Sequence, residues 1–156
     1  MNDETYLRMA IQKAAEGIER GQTPFGAVIV KDGTVVASEH NRVWSTGDIT
    51  AHAEILAIRE ACKRLNTIVL TGCTVYSSCE PCPMCFSACH WAQVSRIVYG
   101  ARIDDAKAYG FHELTIPAAT MHRLGGNTAI LTGDLLREES LELFRRWSRR
   151  ADRRPY

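Results

Sequence analysis

The stretch Cys73-Thr74-Val75-Tyr76-Ser77-Ser78-Cys79-Glu80-Pro81-Cys82-Pro83-Met84-Cys85 changes character at its middle. Cys73 to Ser78 reads as a strand. Pro83 suits the first turn of a helix reaching about Gln93, since proline lacks a donor that a helix start leaves unpaired anyway. Four of the six cysteines, Cys79, Cys82, Cys85 and Cys89, crowd into this strand-to-helix corner. Cys82 and Cys85 lie in the first helical turn, where the positive end of the helix dipole and free backbone N–H groups favour thiolate over thiol. The fold is therefore one that carries a strand end into a helix start beside a metal-binding corner.

Outward from this corner toward the N-terminus, Thr50 is placed to cap a helix running to about Arg64, with Ile55, Leu56, Ile58 and Ala61 inward. Phe25 to Lys31 and Thr34 to Glu39 are β-rich runs separated by Asp32-Gly33, a strong hairpin signal, and should pair antiparallel. Asn2 or Asp3 caps a first helix with Tyr6, Leu7, Ala10, Ile11, Ala14 and Ile18 on one face, and Gly21 stops it. Toward the C-terminus, Ser95 to Gly100 and Thr128 to Thr132 read as strands, and Asp134 caps a last helix with Leu136, Leu143, Phe144 and Trp147 inward. Helices alternating with buried strands indicate an α/β fold whose sheet is mixed, mainly parallel and covered on both faces.

A chain of 156 residues, 46% hydrophobic, with 19 Lys+Arg against 18 Asp+Glu, is expected to form a single domain over residues 1–156. At this size, burial of about 68–70% of the unfolded surface suffices for a core without disulfide or metal staples, so a metal site points to chemistry. The start Met1-Asn2-Asp3-Glu4 is acidic where a secretory leader is basic, and no apolar run approaches the roughly 18 residues that span a bilayer. Both observations point to the cytoplasm and to no membrane partner; cysteines kept reduced there serve better as metal ligands than as disulfides. Charge is uneven, because Arg145, Arg146, Arg149, Arg150, Arg153 and Arg154 oppose only Asp152 at the C-terminal end. Such an end fits contact with phosphate or nucleic acid, or the solvated face of a helix, and the near-neutral chain favours the solvated face.

The chemistry rests on two fragments, His52-Ala53-Glu54 and Pro81-Cys82-Pro83-Met84-Cys85, at the starts of two helices. Their order, H-x-E and then P-C-x-x-C, is the signature of zinc deaminases that act on nucleobases. His52, Cys82 and Cys85 supply three ligands to one Zn2+ per chain, leaving a fourth position for a water that the metal acidifies toward a pKa of about 7. Glu54, two residues beyond His52, can approach the same metal without binding it and carry protons from water to a ring nitrogen and the departing amine. A rival from another class is an iron–sulfur electron carrier, because Cys79, Cys82, Cys85 and Cys89 have the spacing of a cluster-binding run. Against it, His90 stands where that run has proline, and His52 and Glu54 are left without work. His40, His90, His112 and His122 have no cysteine at ligand spacing and are not ligands.

The chain resembles the cytidine-deaminase-like superfamily of purine and pyrimidine deaminases, and within it the bacterial guanine deaminases. The likeness is carried by Pro24 to Val30, Thr50 to Glu54, Ser78 to Cys85, Trp91-Ala92 and an aromatic at Tyr156. It implies a three-layer α/β/α sandwich with a five-stranded sheet, and a homodimer in which the tail from about residue 148 to 156 is exchanged. It also implies a purine base as partner. Asn41 would hydrogen-bond it, Phe25 and Phe111 would sandwich it, Glu113 would discriminate its edge, and Ala53 and Tyr156 would line its pocket. An ionised carboxylate only accepts hydrogen bonds, so Glu113 suits the N–H edge of guanine. Alternatives are adenosine in a tRNA wobble position, and cytosine or another small aminated heterocycle.

Overall fold

A computed structural model describes residues 1–156. Helix α1 (Asp3–Glu19) begins at Asn2, whose side chain accepts the Thr5 N–H at 3.0 Å, and it buries Tyr6, Leu7, Ala10, Ala14 and Ile18. Strands β1 (Gly26–Lys31) and β2 (Thr34–His40) form the expected antiparallel hairpin. Asp32 and Gly33 take φ of 48° and 76°, the left-handed pair that a tight two-residue turn requires.

The remaining elements are α2 (Val43–Thr46), α3 (Ala53–Leu65), β3 (Cys73–Cys79), α4 (Pro83–Trp91), β4 (Arg96–Ala101), α5 (Ile103–Ala108), α6 (Ala118–Gly125), β5 (Ile130–Thr132) and α7 (Arg137–Ser148). The sheet has five strands in the order β2-β1-β3-β4-β5. Its β2-β1 and β1-β3 ladders are antiparallel, and its β3-β4 and β4-β5 ladders are parallel. The expected mainly parallel sheet is thus corrected to an even division: the crossover through α3 returns β3 beside β1 rather than beside β2. Side chains alternate across it with a period of two. Val28, Val30, Tyr76 and Val98 pack on α1, whereas Ala27, Ile29, Val75 and Ile97 pack on α3, α4 and α6, giving the three-layer sandwich.

The α3 seam consists of the small residues Ala53, Ala57 and Ala61, and Ile55, Leu56 and Ile58 are only half-buried. Nor does Thr50 cap this helix: its hydroxyl bonds Asp48 at 2.6 Å, and His52 is the cap. Asp134 likewise does not cap α7. Its carboxylate takes the Arg102 guanidinium at 2.7 Å, and the helix starts after Leu136, which adopts φ of 49°. Gly26 is a point of close approach, where a Cβ would lie 2.2 Å from the Ala10 carbonyl oxygen and 2.5 Å from the Ala14 nitrogen, so α1 rests its backbone on β1.

Most of the basic end is neutralised within the chain. Arg145 pairs with Glu138 and Glu142, Arg146 with Glu19, Arg149 with Glu142 and Arg150 with Asp152. The tail beyond α7 then turns back, held by Trp44, whose indole N–H donates to the Arg154 carbonyl at 2.7 Å while the Arg154 guanidinium covers its ring. No helix is long and apolar enough to cross a membrane.

Candidate active site

Two helix starts converge beside the end of β3. His52 caps α3, Cys82 caps α4, and Cys85 follows within the first turn of α4. His52 Nδ1 lies 3.6 Å from Cys82 Sγ and 3.5 Å from Cys85 Sγ, and the three ligand atoms fall within 4.8 Å of one another. A tetrahedral zinc with Zn–S of about 2.3 Å and Zn–N of about 2.0–2.1 Å would hold its sulfur and nitrogen ligands about 3.6 Å apart. The donor set fits that ion. The Cys82 thiol is pulled down to about 4 by a hydrogen bond from Cys85 and by His52, against the effect of burial, so a thiolate stands ready; Cys85, the donor, is held well above the thiol range. Burial is the largest single influence on the His52 pKa and lowers it, but the hydrogen bond and charge of Cys82, with the charges of Glu54 and Glu113, together raise it above the usual imidazole value.

Cys79 and Cys89 do not join the group. The Cys79 thiol points to the Arg102 carbonyl at 3.6 Å, and Cys89, near the end of α4, is buried in the core. The iron–sulfur alternative therefore lacks two of its four ligands. Three other histidines lie elsewhere, His40 on the Asn41 carbonyl, His90 on Asn127 and His122 on the Ala129 carbonyl, and His112 lines the cavity in front of the corner without joining the ligand group.

Glu54, in the first turn of α3, is 6% exposed, and its Oε1 accepts from the Ser77 hydroxyl at 2.9 Å. Burial, reinforced by the negative Cys82, pushes its carboxyl above the usual range, which suits a group that must both take and give up a proton. The sequence reading missed Ser77, although a signal was there. In the period-two pattern of β3 it shares the α3 face with Cys73 and Val75, so it is a lone hydroxyl on an apolar face, two residues from the cysteine corner.

The expected substrate residues gather around the same corner. A cavity of about 370 Å³ is lined by His52, Cys82, Met84, Phe111, Glu113 and Tyr156, among others. Behind it Phe25, His52, Glu54, Glu113 and Tyr156 bound a chamber of about 20 Å³, enough for one water-sized group. Burial, with the charges of Cys82 and Glu54 adding and His52 opposing, raises the Glu113 carboxyl to about 7. Ala53 is fully buried at the start of α3. Asn41 is fully buried too; its amide oxygen accepts from Val43 N–H at 3.0 Å, and its nitrogen donates to the Tyr156 hydroxyl at 2.5 Å. Tyr156 also accepts the His112 N–H on its carbonyl at 2.8 Å, so the tail lies over the site of its own chain.

The aromatic sandwich is not formed. Phe25 and Phe111 meet edge to face with centroids 4.9 Å apart, whereas a base between two rings needs two contact distances of about 3.5–4.0 Å each. Phe111 also packs on Phe144 and Trp147, so the pair makes one continuous wall.

A three-layer sandwich with a corner of three metal ligands, one histidine and two cysteines, and a buried carboxylate beside it defines a zinc-dependent hydrolytic deaminase. The chain belongs to the family described as the cytidine and deoxycytidylate deaminase zinc-binding region, whose model matches residues 1–101. It is 49% identical over 114 residues to the guanine deaminase of Bacillus subtilis, covering 72% of this chain and 73% of the relative. It is 44% identical over 101 residues to the tRNA-specific adenosine deaminase of Aquifex aeolicus, covering 65% and 67%. Among solved structures, the guanine deaminase of Nitrosomonas europaea superposes with a TM-score of 0.86 at 32% identity, covering 93% of this chain and 84% of that one.

Proposed function

We propose that the chain hydrolyses guanine to xanthine and ammonia. The observation that carries this reading is Glu113. Its carboxylate borders both the open cavity and the small chamber it shares with His52 and Glu54, so a base whose reacting carbon faces the metal corner would present a ring edge to it. In its ionised form the carboxyl is a pure acceptor, which matches the adjacent N–H groups of guanine and rejects a ring edge of bare acceptors. The nearness of the guanine deaminases among the relatives supports the same choice.

Bound by His52, Cys82 and Cys85, zinc would supply the Lewis acidity that makes water a nucleophile at neutral pH. The chain's own residues do the rest. Glu54 accepts a proton from the attacking water, passes it to the ring nitrogen beside the carbon that bears the amine, and delivers the water's second proton to the leaving nitrogen, which departs as ammonia. Ser77 holds one carboxylate oxygen and leaves the other for this traffic. Tyr156 and the Phe25–Phe111 wall keep bulk water away and strengthen the polar contacts within. In a dimer that exchanged residues 148–156, the same contacts would close a neighbour's site.

The test is ammonia release from guanine, adenine, cytosine, their nucleosides and a tRNA anticodon stem. Guanine is expected to turn over fastest. Faster conversion of adenosine in the stem would favour the tRNA reading, which the 44% relative keeps in view.

A further inference from the structure

We propose that Glu80 is a positioning residue for base recognition: its carboxylate ties both ends of the segment carrying Phe111 and Glu113 to the turn carrying Cys82. Glu80 is 6% exposed and stands two residues before Cys82. One of its oxygens accepts the N–H of Ile103, the first residue of α5, at 2.9 Å. The other accepts the N–H of Ala118, the first residue of α6, at 2.7 Å. Both donors are buried, Ile103 at 2% and Ala118 at 0% exposure, and Pro117 has no N–H to offer in their place. Glu80's own N–H donates to the Ala101 carbonyl at 2.7 Å, which fixes its backbone at the end of β4.

Between the two clamped amides the chain runs through α5 and then, from 109 to 117, without helix or strand. Phe111 and Glu113 belong to that irregular stretch. The middle of this stretch is held by Phe111 in the aromatic wall and by the His112 N–H on the Tyr156 carbonyl, and a carboxylate with one N–H on each oxygen fixes its two ends against one point. That point moves with Cys82. Glu80 thereby sets the distance between the recognition carboxylate and the metal corner without touching either. In Glu80→Gln an amide NH2 replaces one acceptor and faces a backbone N–H, so one end is released; in Glu80→Asp the charge stays but the side chain is one methylene short of both.

Placing Glu113 at the base edge rests on the proposed guanine reading. Zinc content, steady-state kinetics on guanine and amide exchange by mass spectrometry are measured for the wild type and Glu80→Gln. The variant is expected to keep the wild-type zinc content, to raise KM about tenfold with kcat changed less than about threefold, and to exchange residues 109–117 faster. Loss of zinc would overturn the proposal, as would wild-type KM and exchange alongside a lowered Tm. Should Glu80→Gln not fold, Glu80→Asp carries the same readouts. A wild type inactive on guanine would sink the substrate reading alone; KM is then read on the base it does accept, and exchange at 109–117 still decides the role of Glu80.

Discussion

Replacing Glu54 by Gln separates metal binding from proton transfer, and the structure sets the size of the effect. The three ligand atoms belong to other residues, so the zinc content should not change. The amide oxygen of Gln can still accept the Ser77 hydroxyl that now sits 2.9 Å from Oε1, so the local packing survives. What disappears is a group able to carry a proton, and general acid–base catalysis contributes about 10²–10⁴ in rate, or roughly 2.7–5.4 kcal/mol of barrier at 1.36 kcal/mol per decade. Because one carboxylate serves both water and leaving group, the loss in kcat should approach the upper figure. Stability should move the other way. Glu54 is 6% exposed and its carboxyl is pushed up by burial, so the folded state carries an ionised carboxylate less willingly than the unfolded chain does. That cost sets in as pH rises above the unfolded value of about 4.3 and grows until the folded pKa is passed. Metal-free Glu54→Gln should therefore melt at or above metal-free wild type at pH 7. The assay pairs elemental analysis with kcat and a thermal melt. Wild-type kcat at wild-type zinc content would remove Glu54 from proton transfer, and lost zinc would show that it is a ligand.

Glu113→Gln should lower kcat/KM for guanine about tenfold to a hundredfold, the range of one charged hydrogen bond, with zinc and Tm held; unchanged kinetics would make Glu113 a bystander. Deleting residues 152–156 removes Tyr156 from Asn41 and His112 and should cut kcat/KM for the free base roughly tenfold or more, leaving zinc in place. If activity on the free base survives while binding to an anticodon stem weakens, Arg153 and Arg154 serve RNA rather than a lid. Asp3 bonds the Arg96 guanidinium at 2.7 and 2.6 Å, which with the Tyr76 hydroxyl holds its carboxyl below the usual range. A depressed acid stabilises above its unfolded pKa of about 3.9 and ceases to as pH falls through the folded value. Asp3→Asn should thus cost about 1 kcal/mol or less at pH 7, a Tm loss of some 2–4 °C, and the gap should close below about pH 4; a constant gap would refute the ion pair.

The parts legible in the sequence are those whose cause is local. The α1 cap at Asn2 and the Asp32-Gly33 turn are settled within a few residues, and the metal corner is written in two short fragments. Most of the misses share a different cause. Thr50 and Asp134 are good caps by type, but Asp48 takes one and Arg102, 32 residues away, takes the other. Helix α6 shows no local cap because Glu80 satisfies its first amide from 38 residues upstream, whereas α5 has a local one, the Asp105 carboxylate on the Arg102 N–H at 2.8 Å, that the sequence reading missed. The position of β1 beside β3 depends on which strand the chain returns to, and helix–strand alternation does not encode that. Around the site, residue types foretold that His52, Cys82, Cys85 and Glu54 would gather, but the edge-to-face meeting of Phe25 and Phe111 depends on Phe144 and Trp147 behind them.

The contact at Gly26 has a consequence for how this enzyme can change over generations. With the α1 backbone where a side chain would begin, position 26 admits no other residue unless helix and strand part. Its neighbour Phe25 bounds the chamber and accepts the Asn41 N–H at 3.0 Å, so any parting would carry the wall of the site with it. In a saturation screen scored by growth, Gly26 would fall among the intolerant positions beside His52 and Cys82, although it meets neither metal nor base. New specificities reached by drift have room at the cavity's other walls, among them Ile49, Met84 and the irregular stretch 109–117, leaving the seam between α1 and β1 as inherited.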